Sequence, residues 1–171
     1  GMSEFIKRYI NSKEASYDVT GYDSYVEFYS SFYGVDADLV KAVILTESGG
    51  DRNAKNLNDD GTYDTGLMQI NSFNHDWLRN ELGITDFSDP LQNIHCGVFM
   101  LSDIMARHSK YHDILICYNA GESKVRELHK KGIYSTLYSR TVMEHYNSLK
   151  KAAVNSRPSR SRSAEKGRSF R

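Results

Sequence analysis

Residues 51–65 constrain this chain more than any other stretch, because Asp, Asn and Gly crowd them, among them Asn56, Asn58, Asp59, Asp60 and Gly61. Short polar side chains of this kind compete with the backbone for its own hydrogen bonds and favour turns over helix. The stretch therefore reads as turns with a small hairpin around Asp59-Asp60-Gly61. On both sides of it the apolar spacing is helical. Residues 22–32 form an aromatic-rich helix, and Asp36 caps a second over 37–48 that carries Leu39, Val40, Val43 and Ile44. Gly49-Gly50 stops it. Asp89-Pro90 opens a long helix to about residue 108, with a capping side chain followed by a proline in the first turn. Shorter helices are predicted over 113–119 and 122–131, and a last one over 136–153. These pieces build a mainly α domain with one small loop or β-hairpin lobe.

A chain of 171 residues suits one domain with a real hydrophobic core, expected over residues 1–154 with an N-terminal helical extension. The formal net charge is zero but unevenly spread: Arg157, Arg160, Arg162, Lys166, Arg168 and Arg171 face Glu165 alone, which leaves the body acidic. Residues 155–171 have almost no apolar side chains, cannot offset the entropy of ordering, and read as a disordered basic tail. That tail is either a solvated end or an electrostatic hook for an anionic polymer such as cell-wall glycopolymer, a phospholipid surface or nucleic acid. No stretch approaches the roughly 20 apolar residues of a membrane span, and the start lacks a basic region ahead of an apolar core. Gly1 ahead of Met2 has the look of an added residue, so a removed leader stays open. Cys96 and Cys117, the only cysteines, lack metal-ligand spacing, and no metal is expected. Both lie in apolar helical patterns and read as buried thiols, with a disulfide between two helices as the alternative. His108 and His112, spaced i, i+4, straddle a helix boundary and read as surface groups. A monomer is expected.

Three blocks mix small, amide and aromatic residues: Glu47-Ser48, Gly66-Leu67-Met68-Gln69-Ile70-Asn71, and Tyr118-Asn119-Ala120-Gly121. A glutamate at a helix end is ordinarily a solvated charge, and Leu67, Met68 and Ile70 would ordinarily be core. In this order, however, the blocks resemble the lysozyme-like lytic transglycosylase family, over about residues 39–142. Cys117 stands where the family's third motif begins with alanine. Asn93-Ile94, Gly97, Leu101, Tyr138 and Val142 add weaker likenesses. The resemblance implies a lysozyme-like fold and peptidoglycan glycan strands as substrate. It implies Glu47 as catalytic acid, Ser48 in the active-site hydrogen bonding, and Met68 and Gln69 as cleft wall. Gln69 would offer its amide to sugar hydroxyl and N-acetyl groups, with Asn71 beside it. Tyr118 would present a flat face to a sugar, Asn119 would anchor loop or ligand, and Tyr138 would hold or tune the acid. Such an enzyme acts at the cell wall or periplasm, reached through a phage, a secretion system or a removed signal.

Breaking a glycosidic bond requires protonation of a poor alkoxide leaving group while positive charge develops on the sugar ring. A carboxyl emerging from an apolar helix into a cleft is partly desolvated, which raises its pKa and suits Glu47 to that task. Asp64 is a secondary candidate, because Asp64-Thr65-Gly66-Leu67-Met68-Gln69-Ile70-Asn71-Ser72 also resembles c-type lysozymes. There the aspartate is a second catalytic carboxylate, about 5 to 5.5 Å from the acid in retaining enzymes. The leading expectation is a lytic transglycosylase that leaves 1,6-anhydro-MurNAc ends at the MurNAc-GlcNAc β-1,4 bond with no metal or cofactor. A retaining muramidase using Glu47 and Asp64 is the second, and a non-catalytic glycan-binding or structural component of a phage particle or secretion channel the third.

Overall fold

Local chemistry sets most element ends in the computed structural model, which describes residues 1–11 and 18–156. The Asp36 side chain accepts from the Asp38 N–H at 2.9 Å and starts α3 (Ala37–Ser48), and Gly49, at φ 62, ends it in the left-handed conformation that lacks a steric cost only for glycine. Asp89 accepts from the Gln92 N–H at 3.1 Å ahead of Pro90, opening α5 (Pro90–Met105). The other helices are α1 (Met2–Asn11), α2 (Asp23–Tyr33), α4 (His75–Leu82), α6 (Tyr111–Ala120), α7 (Glu122–Lys130) and α8 (Leu137–Ser156).

Residues 51–65 do fold into the small lobe. β1 (Lys55–Leu57), β2 (Tyr63–Thr65) and β3 (Ile70–Asn71) form an antiparallel sheet in that order. Its register puts Asn56 opposite Asp64 and Asp64 opposite Asn71. The hairpin turn closes with the Asn58 N–H donating to the Thr62 carbonyl at 2.8 Å. The sheet's β1 strand is exposed along its length, so the lobe has little core of its own and leans on the helices.

The core lies between the helices. α5 buries residues around most of its circumference, including Leu91, Ile94, Val98 and Leu101, as a central helix must. α2 packs against it, and α3 packs along α8. Burial of each such Leu, Ile or Val stabilises the fold by about 1.5–3 kcal/mol. The N-terminal helix α1 inserts Ile10 into this core and ties to the start of α5 through Lys7 and Asp89 at 3.0 Å.

Several expectations are adjusted. α4 has no counterpart among the predicted helices; it is short, and Asn74 ahead of it makes no capping bond. α5 ends at Met105 rather than near residue 108, and α8 continues to Ser156 rather than ending near residue 153. Of the tail expected over residues 155–171, Asn155 and Ser156 belong to α8 instead, and residues 157–171 lie outside the described residues. Cys96 and Cys117 are both free and buried. His108 and His112 do flank a helix boundary but are not surface groups: both are half-buried, His108 bonded to Glu122 at 2.8 Å and His112 to Ser139 at 2.9 Å. Among the described residues no helix is long and apolar enough to cross a membrane.

Candidate active site

The turn between β2 and β3 is the centre of the site, and side chains from three helices hold it. Gly66 sits at φ 78, and a Cβ there would collide with the Asn93 amide, so glycine is required both for the backbone and for the space. Asn93, on α5 and fully buried, accepts from the Met68 N–H and donates to the carbonyls of Thr65 and Phe87, each at 2.8 Å. Ser48, at the end of α3, has its hydroxyl 2.8 Å from the Leu67 carbonyl and 3.1 Å from that of Ile44. Tyr118, on α6, donates to the Met68 carbonyl at 2.8 Å. Gln69 is the one non-glycine among the described residues with positive φ, at 51. Its own side chain fixes that conformation, with Nε2 donating to the Gly66 and Ala54 carbonyls at 2.9 and 3.1 Å and Oε1 accepting from Asn56 at 2.6 Å. The three sequence blocks are thus one hydrogen-bonded object.

Beside this turn opens a cleft of about 650 Å³, bordered by both Glu47 and Asp64. Glu47 is half-buried on the last turn of α3, and Tyr138 on α8 donates to its Oε2 at 3.1 Å. Desolvation pushes the Glu47 carboxyl up to about 7; the Asp64 charge adds to this, while the Tyr138 hydroxyl opposes it by favouring the anion. The Tyr118 and Tyr138 hydroxyls are themselves held well above their usual range, first by desolvation and then by the Glu47 charge. They are donors to their partners, not proton sources. Asp64 accepts from the amides of Asn71 at 2.9 Å and Asn58 at 3.2 Å, which fixes both of its oxygens at the cleft edge.

The predicted residues divide into two groups. Glu47, Asp64, Tyr118 and Asn119 border the cleft, Asn119 as an exposed side chain. Asn71 borders it too, but its amide is committed to Asp64 and Thr62, and its carbonyl oxygen accepts from the Phe73 N–H at 2.9 Å. Met68 does not wall the cleft: its side chain is fully buried and packs onto Gly97, where any Cβ would collide with it. Gln69 borders the cleft, yet all of its polar atoms serve the turn, so the expected offer of its amide to a sugar gives way to a positioning role. Ser48 likewise serves the turn. Phe73, Trp77, Met100 and Arg107 also border the cleft and stood outside the motif reading. Only the aromatic pair at 73 and 77, just past the second block, offered a signal.

One group of metal-ligand types comes together among the described residues: His108, Cys117 and Glu122, with donor atoms within 4.8 Å of one another. Glu122 is already held by Arg107 at 2.7 Å and His108 at 2.8 Å, which brings its carboxyl down to about 2. Burial pushes the Cys117 thiol up to about 11. A paired carboxylate beside a protonated thiol is an ion-pair cluster at the corner between α6 and α7.

The model of the transglycosylase SLT domain matches residues 24–133, which spans α2 to the end of α7 and so includes Glu47, the turn and the Tyr118 block. This chain belongs to the transglycosylase SLT domain family. As a member it is an enzyme of the peptidoglycan lytic transglycosylase kind. Protein IpgF of Shigella flexneri is 31% identical over 111 residues, covering 63% of this chain and 72% of that protein. Invasion protein IagB of Salmonella typhimurium strain SL1344 is 32% identical over 121 residues, covering 69% of this chain and 72% of that one. Among solved structures, an inactive mutant of the lytic transglycosylase Slt from Pseudomonas aeruginosa superposes with a TM-score of 0.55 at 20% identity over 73% of this chain. The chain spans only 20% of that much longer protein, and the likeness bears out the lysozyme-like fold. Membership in the family agrees with the expectation drawn from the three blocks.

Proposed function

We propose that this SLT domain cleaves the MurNAc-GlcNAc β-1,4 bond of peptidoglycan without water, using Glu47 first as acid and then as base. The observation that carries the reading is Glu47 itself, a half-buried carboxyl facing the cleft, whose desolvation holds its proton up to about 7 even though Tyr138 is bonded to it at 3.1 Å. At neutral pH such a group populates both protonation states, which a residue serving as acid and base in one cycle requires. Glu47 gives its proton to the glycosidic oxygen as the bond to C1 breaks. The resulting carboxylate takes the proton from the muramyl 6-hydroxyl, whose oxygen bonds to C1. The product is a 1,6-anhydro ring, and Glu47 ends the cycle protonated. The Tyr138 hydroxyl supports the intermediate carboxylate stage. Neither metal nor cofactor takes part in these steps, and the enzyme works where glycan strands are, at the cell wall.

Asp64 supports a second reading. Its charge lies close enough to Glu47 to raise the latter's pKa, and in a retaining muramidase a carboxylate so disposed attacks or stabilises the sugar cation. Mass spectrometry of the soluble muropeptides separates the two. Anhydro-muramyl ends support the transglycosylase; reducing ends carrying one added water reject it in favour of the muramidase. Asp64→Asn gives the kinetic counterpart, since the transglycosylase keeps much of its rate and the muramidase loses most of it.

A further inference from the structure

Phe73 is 84% exposed, the most exposed of the large apolar side chains described, and it borders the same cleft as Glu47. Single exposed apolar residues are common on protein surfaces and need no explanation. Three features set this one apart. First, Phe32 and Leu57, the exposed apolar side chains of α2 and β1, are absent from the cleft wall, whereas Phe73 is part of it. Second, the backbone beneath its ring is fixed. Phe73 sits in the 3-10 turn Ser72–Asn74, where its N–H donates to the Asn71 side chain at 2.9 Å, while the Ser72 hydroxyl accepts from the Tyr63 N–H at 3.1 Å. Third, the same cleft has further apolar lining. Trp77 on α4 borders the cleft, half-buried against Phe99 with ring centroids 5.3 Å apart, and Met100 follows.

We propose that Phe73, with Trp77 behind it, is a stacking platform for one N-acetylglucosamine ring of the glycan strand. The inference rests on the glycan-cleaving reading of the cleft and deepens it. A pyranose in the β-linked series carries its hydroxyls around the rim and axial C–H groups on its faces, so one face is apolar and of similar width to a phenyl ring. Phenylalanine brings no hydrogen-bonding group, so it would select ring shape rather than hydroxyl pattern. Asn74, which also borders the cleft, brings an amide within the same segment for the polar rim of the sugar. Because the turn is fixed before the ligand arrives, little ordering entropy opposes binding. The Asn71 side chain touches both Asp64 and the Phe73 N–H, so the platform is held in register with the Asp64 carboxylate.

Covering one face of a phenyl ring accounts for part of the free energy of burying it, equivalent to roughly five- to tenfold in affinity. The probe is chitohexaose, a soluble β-1,4 chain of N-acetylglucosamine, titrated calorimetrically into the full chain. Trp77 is the only tryptophan, so its emission follows the same titration. The expected result is a change in Trp77 emission on binding, a five- to tenfold weaker Kd in Phe73→Ala, and full affinity in Phe73→Trp. Against peptidoglycan, Phe73→Ala should raise KM while leaving kcat within about twofold. The exposed ring supports no core, so the variant keeps the wild-type melting temperature. Equal affinity of wild type and Phe73→Ala overturns the platform, as does a Trp77 emission unmoved by saturating ligand. Failure of the catalytic reading appears elsewhere: a wild-type chain that binds chitohexaose through Phe73 yet releases no muropeptide refutes the cleavage and upholds the platform.

Discussion

Glu47 should weaken the fold at the pH where it works, and Glu47→Gln measures by how much. The folded carboxyl holds its proton up to about 7, whereas an unperturbed one releases it near 4.5. Between these values the native state binds more protons than the unfolded chain, so stability falls as pH rises through the window. At about 1.4 kcal/mol per pH unit the whole gap corresponds to about 3 kcal/mol. Water reaching a half-buried group screens part of this, leaving about 1–2 kcal/mol. In a domain of this size that is about 3–6 °C in melting temperature. Glutamine has the shape of the neutral acid and never ionises. Thermal melts followed by circular dichroism should therefore coincide for wild type and Glu47→Gln near about pH 4, with the variant ahead by about 3–6 °C near about pH 8.5. The same variant should release no muropeptide at any pH. An offset that stays constant with pH, or a wild type that gains on the variant as pH rises, would refute the placement of Glu47 in a desolvated cleft.

Tyr138→Phe removes a hydroxyl that favours the Glu47 anion, so the alkaline limb of the pH–rate profile should move upward by roughly one pH unit, with kcat at neutral pH reduced. An unmoved limb would assign the tyrosine a packing role. Asn93→Ala strands the Met68 N–H and the Thr65 and Phe87 carbonyls, and should cost about 2–4 kcal/mol in a urea melt. Gly97→Ala pushes a methyl group into the Met68 side chain and should cost about 1–3 kcal/mol, whereas pairing it with Met68→Ala should recover part of the loss.

Element ends set by neighbouring residues were legible from the chain alone. Asp36, Gly49 and Asp89-Pro90 act within one turn, and each ends or starts a helix where its own chemistry demands. α4 was not legible, since its eight residues carry few apolar side chains and no capping bond, and its existence depends on Leu78 entering a core built elsewhere. The same division runs through the site. That Glu47, the Gly66 block and the Tyr118 block belong together was legible through the resemblance of the ordered blocks to the family, and all three do meet at one cleft. What each side chain does there did not follow. Gln69 spends its amide on its own turn and on Ala54 and Asn56, which holds its φ positive, and Met68 points into the core because Gly97 leaves room. Ala54, Asn56 and Gly97 are distant along the chain, and no local pattern reports them. Phe73 was hidden for the opposite reason: its place with Trp77 just past the second block was the one signal, and nothing in a sequence says that such an aromatic faces a cleft.

The turn at residues 66–69 carries a consequence for how the enzyme handles its polymer. Ser48 from α3, Asn93 from α5 and Tyr118 from α6 all fasten the same few peptide groups, so lobe and helices are joined at the turn beside the cleft. A jaw fastened there cannot close on a ligand without breaking several of those bonds together. In the proposed cleavage, flattening of the sugar ring on the way to bond breaking then falls to the strand, which meets a turn fastened in place rather than a closing jaw.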